Sequence, residues 1–297
     1  MDFKKIVMRL CRAPKGIIRR VNLYARLVPL MLVNWLGRHA LTQPEGPAIS
    51  LTTYGKRIKT VHFTIETIGR GDMLPSRIVL WLDDKRLFEN VPATIRRLQK
   101  RGLEVRLSKN YGPHTKYYPY VESQERFVTP LVTADDDVLY ERSWLRDLAT
   151  AFKEFPDYVN CHCAKVIGLK GKEISAYSEW ALCASTKPSI LHIAHGVAGV
   201  IYPPSLLDAL GRAKTSFEFC CPKADDLWLH VQAVRAGIKT RQIHRWAKRP
   251  AFTPGTQDVG LWIENYKGGN DRQIEATYTE ADIKILQSSC AAFKMEM

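Results

Sequence analysis

Long apolar runs are missing from this sequence. The best apolar patch, Leu27–Val33 continuing to Trp35-Leu36, is interrupted by Pro29 and Asn34. It falls far short of the roughly 20 apolar residues a membrane-spanning helix needs. A secretory signal is not expected either, because charged sequence precedes the patch and no clean small-residue cleavage site follows. The seven cysteines are an odd number without disulfide-framework spacing. Cys161-His162-Cys163 and Cys220-Cys221 lack the paired C-x2-C of a structural zinc site, so buried free thiols in a reducing compartment are expected. No repeat, low-complexity segment or nucleic-acid-binding motif is present, which leaves nucleic acid without support as a partner.

Acidic residues are also scarce near the start. Residues 1–42 contain nine Lys/Arg and only Asp2, a net of +8 within a chain total of +14. Such a concentration points to an anionic surface. Phe3, Ile6, Val7 and Leu10 follow helical spacing, Pro14 and Gly16 break it, and Ile17, Val21, Tyr24 and Val28 resume it. Residues 1–42 therefore read as a basic amphipathic arm that lies on an anionic membrane. The competing reading is a helix docked on the domain through the same apolar face. Residues 43–47 (Gln43-Pro44-Glu45-Gly46-Pro47) form a linker, and 48–297 form one domain.

The most informative stretch within that domain is Asp135-Asp136-Asp137, after the apolar run Phe127–Val132. Three adjacent carboxylates repel one another and resist burial, so the run calls for a cation, best a hard divalent ion with oxygen ligands. The alternative is an acidic turn that ends a strand. Around it, strands are expected at Ala48–Thr52, Arg77–Leu82, Leu103–Leu107, Phe127–Thr133, Val197–Tyr202 and Thr240–Ile243. Helices are expected near Lys59–Thr67, Thr94–Arg101, Ser143–Phe155, after Ser205, over Asp225–Ala236 and over Glu280–Leu286. The alternation implies an α/β fold, a mainly parallel sheet flanked by helices, whose ligands bind beyond the carboxyl ends of the strands. Thr52-Thr53-Tyr54, Asp83-Asp84 and Asp135–Asp137 all fall at such ends.

Four pieces carry a resemblance. They are Ile49–Ile58, Ala134-Asp135-Asp136-Asp137, Ala198–Tyr202 and Lys223-Ala224-Asp225-Asp226-Leu227-Trp228. In this order they resemble the base-receiving strand and loop, the DXD motif, the acceptor-side strand and the acidic helix start of GT-A glycosyltransferases, over roughly residues 48–270. The likeness is to the exostosin-like branch and to bacterial capsule or lipopolysaccharide transferases. It implies a GT-A-type, Rossmann-like fold and a hexosyl- or hexosaminyl-type glycosyltransferase. The implied partners are a nucleotide-sugar donor (a UDP-sugar expected), Mn2+ or Mg2+, and a saccharide or lipid-linked acceptor. With the arm, it places the enzyme in the cytoplasm, peripheral on the inner face of the plasma membrane.

The same resemblance distributes roles. Asp137 is the first choice for metal, Asp135 for the ribose or donor sugar, and Asp136 for either. Thr52, Thr53, Tyr54, Arg57 and Asp83 belong to donor binding. Asp226, with Asp225 beside it, matches the acceptor-side carboxylate, although carboxylates also suit any helix N-terminus. His244 follows a short strand, where some GT-A enzymes place a late metal ligand; a structural histidine is the alternative. Arg245 either grips phosphate oxygens or belongs to a basic surface. Lys116 either contacts donor phosphates or is a surface lysine. Gly268-Gly269-Asn270-Asp271 reads as a polar loop, closing over substrate or simply turning the chain. A nucleotidyl or phosphoryl transferase with the same metal site, or a non-catalytic membrane-bound scaffold, are the competing functions.

Overall fold

The computed structural model describes residues 15–248, 250–257 and 265–295. The Phe3–Leu10 pattern, Cys11, Arg249 and Trp262 lie outside the described residues.

Four strands read from sequence build one half of the sheet: β1 (Ala48–Thr52), β2 (Arg77–Leu82), β3 (Leu103–Leu107) and β4 (Leu131–Thr133). They lie side by side in the order β4-β1-β2-β3, all parallel. The strand Val200–Tyr202 then pairs antiparallel with β4, followed by Val159–Cys161 and Thr240–Gln242. Only Val200–Tyr202 runs against the other six. The mainly parallel α/β architecture expected from sequence is the observed one.

Alternation along each strand explains why both faces are covered. In β2, Ile78, Leu80 and Leu82 enter one apolar cluster, while Val79 and Trp81 enter the other. In β4, Val132 and Leu131 divide the same way. A strand buried on both faces reads as a continuous apolar run, and Ile78-Val79-Leu80-Trp81-Leu82 is such a run. The helix Val61–Ile68 seals one face through Val61, Ile65 and Ile68. The helix Asp225–Arg235 seals the other through Leu227, Trp228, Val231 and Val234.

The arm forms one helix, Lys15–Leu36, that continues through Pro29 rather than stopping at it. Leu27 and Leu30 pack on Phe63 and Leu139, with Ala251 beside them. Asn34 fastens the helix: its Nδ2 donates to Glu66 Oε1 (3.0 Å) and to the Thr94 carbonyl (3.1 Å). Arg101 donates to the same Glu66 oxygen at 2.6 Å, so a fully buried carboxylate is held between the domain and the arm. The 43–47 segment adds further anchoring through Gln43, whose amide donates to the Pro75 carbonyl.

Several elements differ from the sequence reading. Val159–Cys161 is a buried strand, and a small antiparallel sheet joins Ala164–Val166 with Ala181–Leu182 and His192–Ala194. Gly268–Asp271 is not a loop. A π-helical turn over Asn265–Gly269, in which Gly268 takes φ +88°, leads straight into the helix Asn270–Thr277. The six described cysteines are free.

Candidate active site

β1 and β4 are adjacent and parallel, so their carboxyl ends open side by side. A cavity of about 490 Å³ lies beyond them. Thr52, Tyr54, Arg57, Lys116, Asp135, Asp136, Asp137, Asp225 and Asp226 all line it. These are nine of the residues singled out by sequence, brought together from positions up to a whole domain apart. Thr53 joins through Asp136, donating to its Oδ2 at 2.6 Å.

The carboxylates form two groups, each around one cation. Arg57 lies in the turn after β1 and serves the first. Its Nη1 is 2.8 Å from Asp136 Oδ1 and its Nη2 is 3.1 Å from Asp137 Oδ2. Gln257 Nε2 also donates to Asp137 Oδ2, at 2.7 Å. Burial raises both acids. For Asp136, Arg57 and the Thr53 hydroxyl work against that rise. For Asp137, burial wins over Arg57, with Asp135 and Asp136 adding to it, and the pKa reaches about 6.

Lys116 serves the second group. Its Nζ is 2.8 Å from Asp135 Oδ1 and 3.0 Å from Asp225 Oδ2, so one ammonium joins the end of β4 to the start of the acidic helix. Burial alone would lower Lys116, but Asp135, Asp225 and Asp226 outweigh it and hold the ammonium charged. The lysine is placed by a 3-10 turn, Gly112–Lys116, whose buried His114 contacts Tyr117 Oη at 3.0 Å and the Cys221 carbonyl at 2.7 Å. That contact ties the Lys116 turn to the segment leading into Asp225. Asp226 Oδ1 accepts from the Gly196 amide at 3.0 Å. Burial and then the neighbouring Asp225 push Asp226 well above the ordinary carboxylate range, with Lys116 opposing. A Cβ at Gly196 would sit 3.0 Å from Asp226 Oδ1 and 3.2 Å from Lys116 Nζ, so a larger residue there would press on both side chains.

Three predicted site residues are placed elsewhere. Asp83 ends β2, beyond β1 on the side away from β4, and does not line the cavity. Its neighbour Asp84 caps the helix Lys85–Glu89 by accepting from the Arg86 and Leu87 amides. His244 lies 3.7 Å from Asp147 Oδ2 and stacks near His162 at 5.7 Å, away from Asp137. Arg245 is exposed, with its guanidinium over the Trp246 ring. None of the three stands with the aspartates.

The cavity also contains residues that carried no motif. Tyr177 and His195 meet at 3.2 Å through Oη and Nε2. Asn265 and Asn270 line the same wall, and the Oδ1 of each is buried without a hydrogen bond among the described residues. Such orphaned amide oxygens mark hydrogen-bonding capacity that the fold itself leaves unused. Phe252 and Gln257 complete the side near Asp137. The glycine before Val197–Ala198 was the one available signal, since Gly196 introduces the strand read as acceptor-facing. Asn270 stood in the Gly268–Asp271 segment read as a polar loop, whereas nothing in the sequence marked Gln257.

A divalent cation would have to be held by few protein ligands. Among the described residues no cluster of three His, Cys, Asp or Glu is arranged to cage one. Asp136 has both oxygens engaged, by Thr53 and Arg57. Asp135 and Asp137 both reach the cavity, and a pair of carboxylates completed by ligand phosphates is an ordinary Mg2+-type arrangement. The residues therefore fit a cation shared with a phosphate ligand.

No protein-family model matches the chain, and no curated protein matches it. Among solved structures, it is similar to S. aureus TarS 1-349 in complex with UDP, at 16% identity over 82% of this chain and 70% of that one, TM-score 0.45. It is also similar to GalNAc-T7 with UDP, GalNAc and Mn2+, at 12% identity over 74% and 47%, TM-score 0.46. CMP:2-keto-3-deoxy-manno-octonic acid synthetase with CTP is similar at 12% identity over 77% and 100%, TM-score 0.45.

Proposed function

We propose that this chain transfers a sugar from a nucleotide-sugar donor, expected to be a UDP-sugar, to a saccharide or lipid-linked acceptor of a cell-surface glycan. The observation that carries the reading is the meeting of two separate carboxylate groups in one cavity, Asp135–Asp137 and Asp225–Asp226, with Lys116 between them. Transfer from a sugar diphosphate needs these two things: a place for the departing diphosphate and a base for the incoming hydroxyl.

On the donor side, Tyr54 and the Arg57 turn follow β1 and are positioned to receive the nucleotide. Asp135 and Asp137 would hold Mn2+ or Mg2+, which when bound neutralises charge developing on the leaving diphosphate. Lys116 contributes a second positive charge at the same point. On the acceptor side, Asp226 takes the proton of the attacking hydroxyl. The anomeric carbon–oxygen bond breaks, its electron pair leaves with the nucleoside diphosphate, and the acceptor oxygen forms the new bond. A carboxylate with raised proton affinity suits this work near neutral pH, and the Gly196 amide fixes its orientation. The amide oxygens of Asn265 and Asn270 would accept sugar hydroxyls on that wall.

Nucleotide release from a panel of nucleotide sugars, with Mn2+ or Mg2+, tests the proposal in wild type and in Asp226→Asn and Asp137→Asn. Release with one donor, stimulated by the metal and by a saccharide acceptor and lost in both variants, is expected. Pyrophosphate release from a nucleoside triphosphate instead would replace it with nucleotidyl transfer. Metal-independent nucleotide binding without any turnover would favour a scaffold.

A further inference from the structure

Docking of the arm helix on the domain and binding of a membrane need not be alternatives, because the helix has two apolar faces. The inner face is occupied: Leu27, Leu30 and Asn34 are buried against the domain. The outer face carries Tyr24, Val28, Met31, Leu32, Trp35 and Leu36, between 50% and 67% exposed. At about 100° per residue these six fall within an arc of about 140°. A continuous apolar stripe of this length on a monomer's surface marks a contact surface.

We infer that this stripe lies in the interfacial layer of an anionic lipid membrane and holds the catalytic domain there in one fixed orientation. Charge selects the occupant. The helix Lys15–Leu36 contains no acidic residue and carries Lys15, Arg19, Arg20 and Arg26, with Arg38 just beyond it. A protein partner would meet that surface equally well through its apolar atoms, but an apolar stripe on a helix whose sequence carries cations and no acid matches anionic headgroups over acyl chains. Trp35 and Tyr24 near the two ends of the stripe suit the headgroup boundary. No described helix is long and apolar enough to cross a membrane, so the helix lies along the surface.

The inner face gives the contact its consequence. Leu27 and Leu30 pack on Leu139 and beside Ala251. Those two residues pair across the ribbon Val138–Leu139/Ala251–Phe252, which follows Asp137 directly and contributes Phe252 to the cavity. Thr253 donates to the Asp137 carbonyl at 2.7 Å. The lipid-contacting helix and the aspartate loop are therefore neighbours in one packed unit. On the transferase reading, this presents the cavity at a constant height to an acceptor carried by a lipid.

The test uses the full chain with Met31→Ser, Leu32→Ser and Trp35→Ser combined, all at exposed positions. Co-sedimentation is measured with phosphatidylcholine vesicles, with and without phosphatidylglycerol. Wild type should bind the anionic vesicles and not the neutral ones, and the triple variant should bind about tenfold or more weakly. Its unfolding temperature and donor hydrolysis in solution should be unchanged. No vesicle binding by wild type, or binding that the variant leaves intact, overturns the inference. So does a wild-type dimer that the variant converts to monomer without any vesicle affinity, since the stripe would then join two copies. Donor hydrolysis read in parallel separates this failure from failure of the transferase reading.

Discussion

Two cations pair with four of the five aspartates of the cavity, and they do so under different conditions. Arg57 sits with Asp136 and Asp137, whose side chains are only 5% and 4% exposed. Lys116 sits with Asp135 and Asp225, at 25% and 12%. The first group is built like a piece of the core, with one planar guanidinium bridging two carboxylates and side-chain donors from Thr53 and Gln257. The second lies open to the cavity and depends on one flexible ammonium reached from a separate turn. The division of labour is one of packing: Arg57 shapes the loop after β4 while Asp137 still reaches the cavity for a cation, and the Lys116 group is where charge is more readily exchanged with a ligand.

The largest expected effect tests the exchangeable group. Asp226→Asn keeps size and the Gly196 contact but removes the base, and should lower kcat about 10²–10⁴-fold with little change in donor KM, as read by initial rates. Stability should barely move. The opposite pattern belongs to Arg57→Met, which strands two buried carboxylates. Chemical denaturation should show a loss of about 3–5 kcal/mol, partly restored when Asp136→Asn is added. Lys116→Met should fall between them, losing activity strongly but costing less stability than Arg57→Met because water reaches Asp135. If Lys116→Met proved the more destabilising of the two, the two groups would not differ in this way.

This division also marks where the sequence was legible. β1, β2 and β3 were read with their observed ends: β2 is a continuous apolar run, as a doubly covered strand must be, while β3, Leu103-Glu104-Val105-Arg106-Leu107, alternates as a half-exposed edge strand does. The Asp135–Asp137 loop and the Asp225-Asp226 helix start were visible because unpaired charge beside apolar sequence demands an explanation. Val159–Cys161 was not visible: three residues are too short for a period, and Cys161-His162-Cys163 was weighed for its thiols rather than as the end of a strand. Asp83 misled for a related reason. A strand end places a residue on the correct edge but does not say which strands flank the opening, and that depends on the sheet order. The pairing of Lys116 with two aspartates 19 and 109 positions away is a property of packing alone.

Proton linkage gives a smaller effect that sharpens the contrast. Asp137 has a pKa of about 6 in the fold against 3.8 when unperturbed. The native state thus binds this proton more tightly than the unfolded chain. Its contribution is most favourable below pH 4, is lost as pH rises through 4 to 6, and is flat above. At neutral pH the ionised form costs the fold about 2–3 kcal/mol. A divalent cation that binds ionised Asp137 should offset this, so Mn2+ should raise the unfolding temperature more at pH 7 than at pH 5. Equal shifts at both pH values would remove Asp137 from the metal site.

The smallest effect belongs to His244, and a near-zero result there is informative. Its Nε2 stands 3.7 Å from Asp147 Oδ2, too far for a hydrogen bond. Asp147 is already satisfied by Ser143 at 2.8 Å, Arg146 at 3.1 Å and Lys248 at 3.3 Å. Burial, then the neighbouring Lys248, lowers the proton affinity of His244, so it adds little charge at neutral pH. His244→Ala should therefore change stability by about 0.5 kcal/mol or less. The Mn2+ concentration giving half-maximal nucleotide release should stay within about twofold of wild type. A tenfold rise would mean that the Asp147 surface folds over the cavity when donor binds, bringing His244 to the aspartates after all.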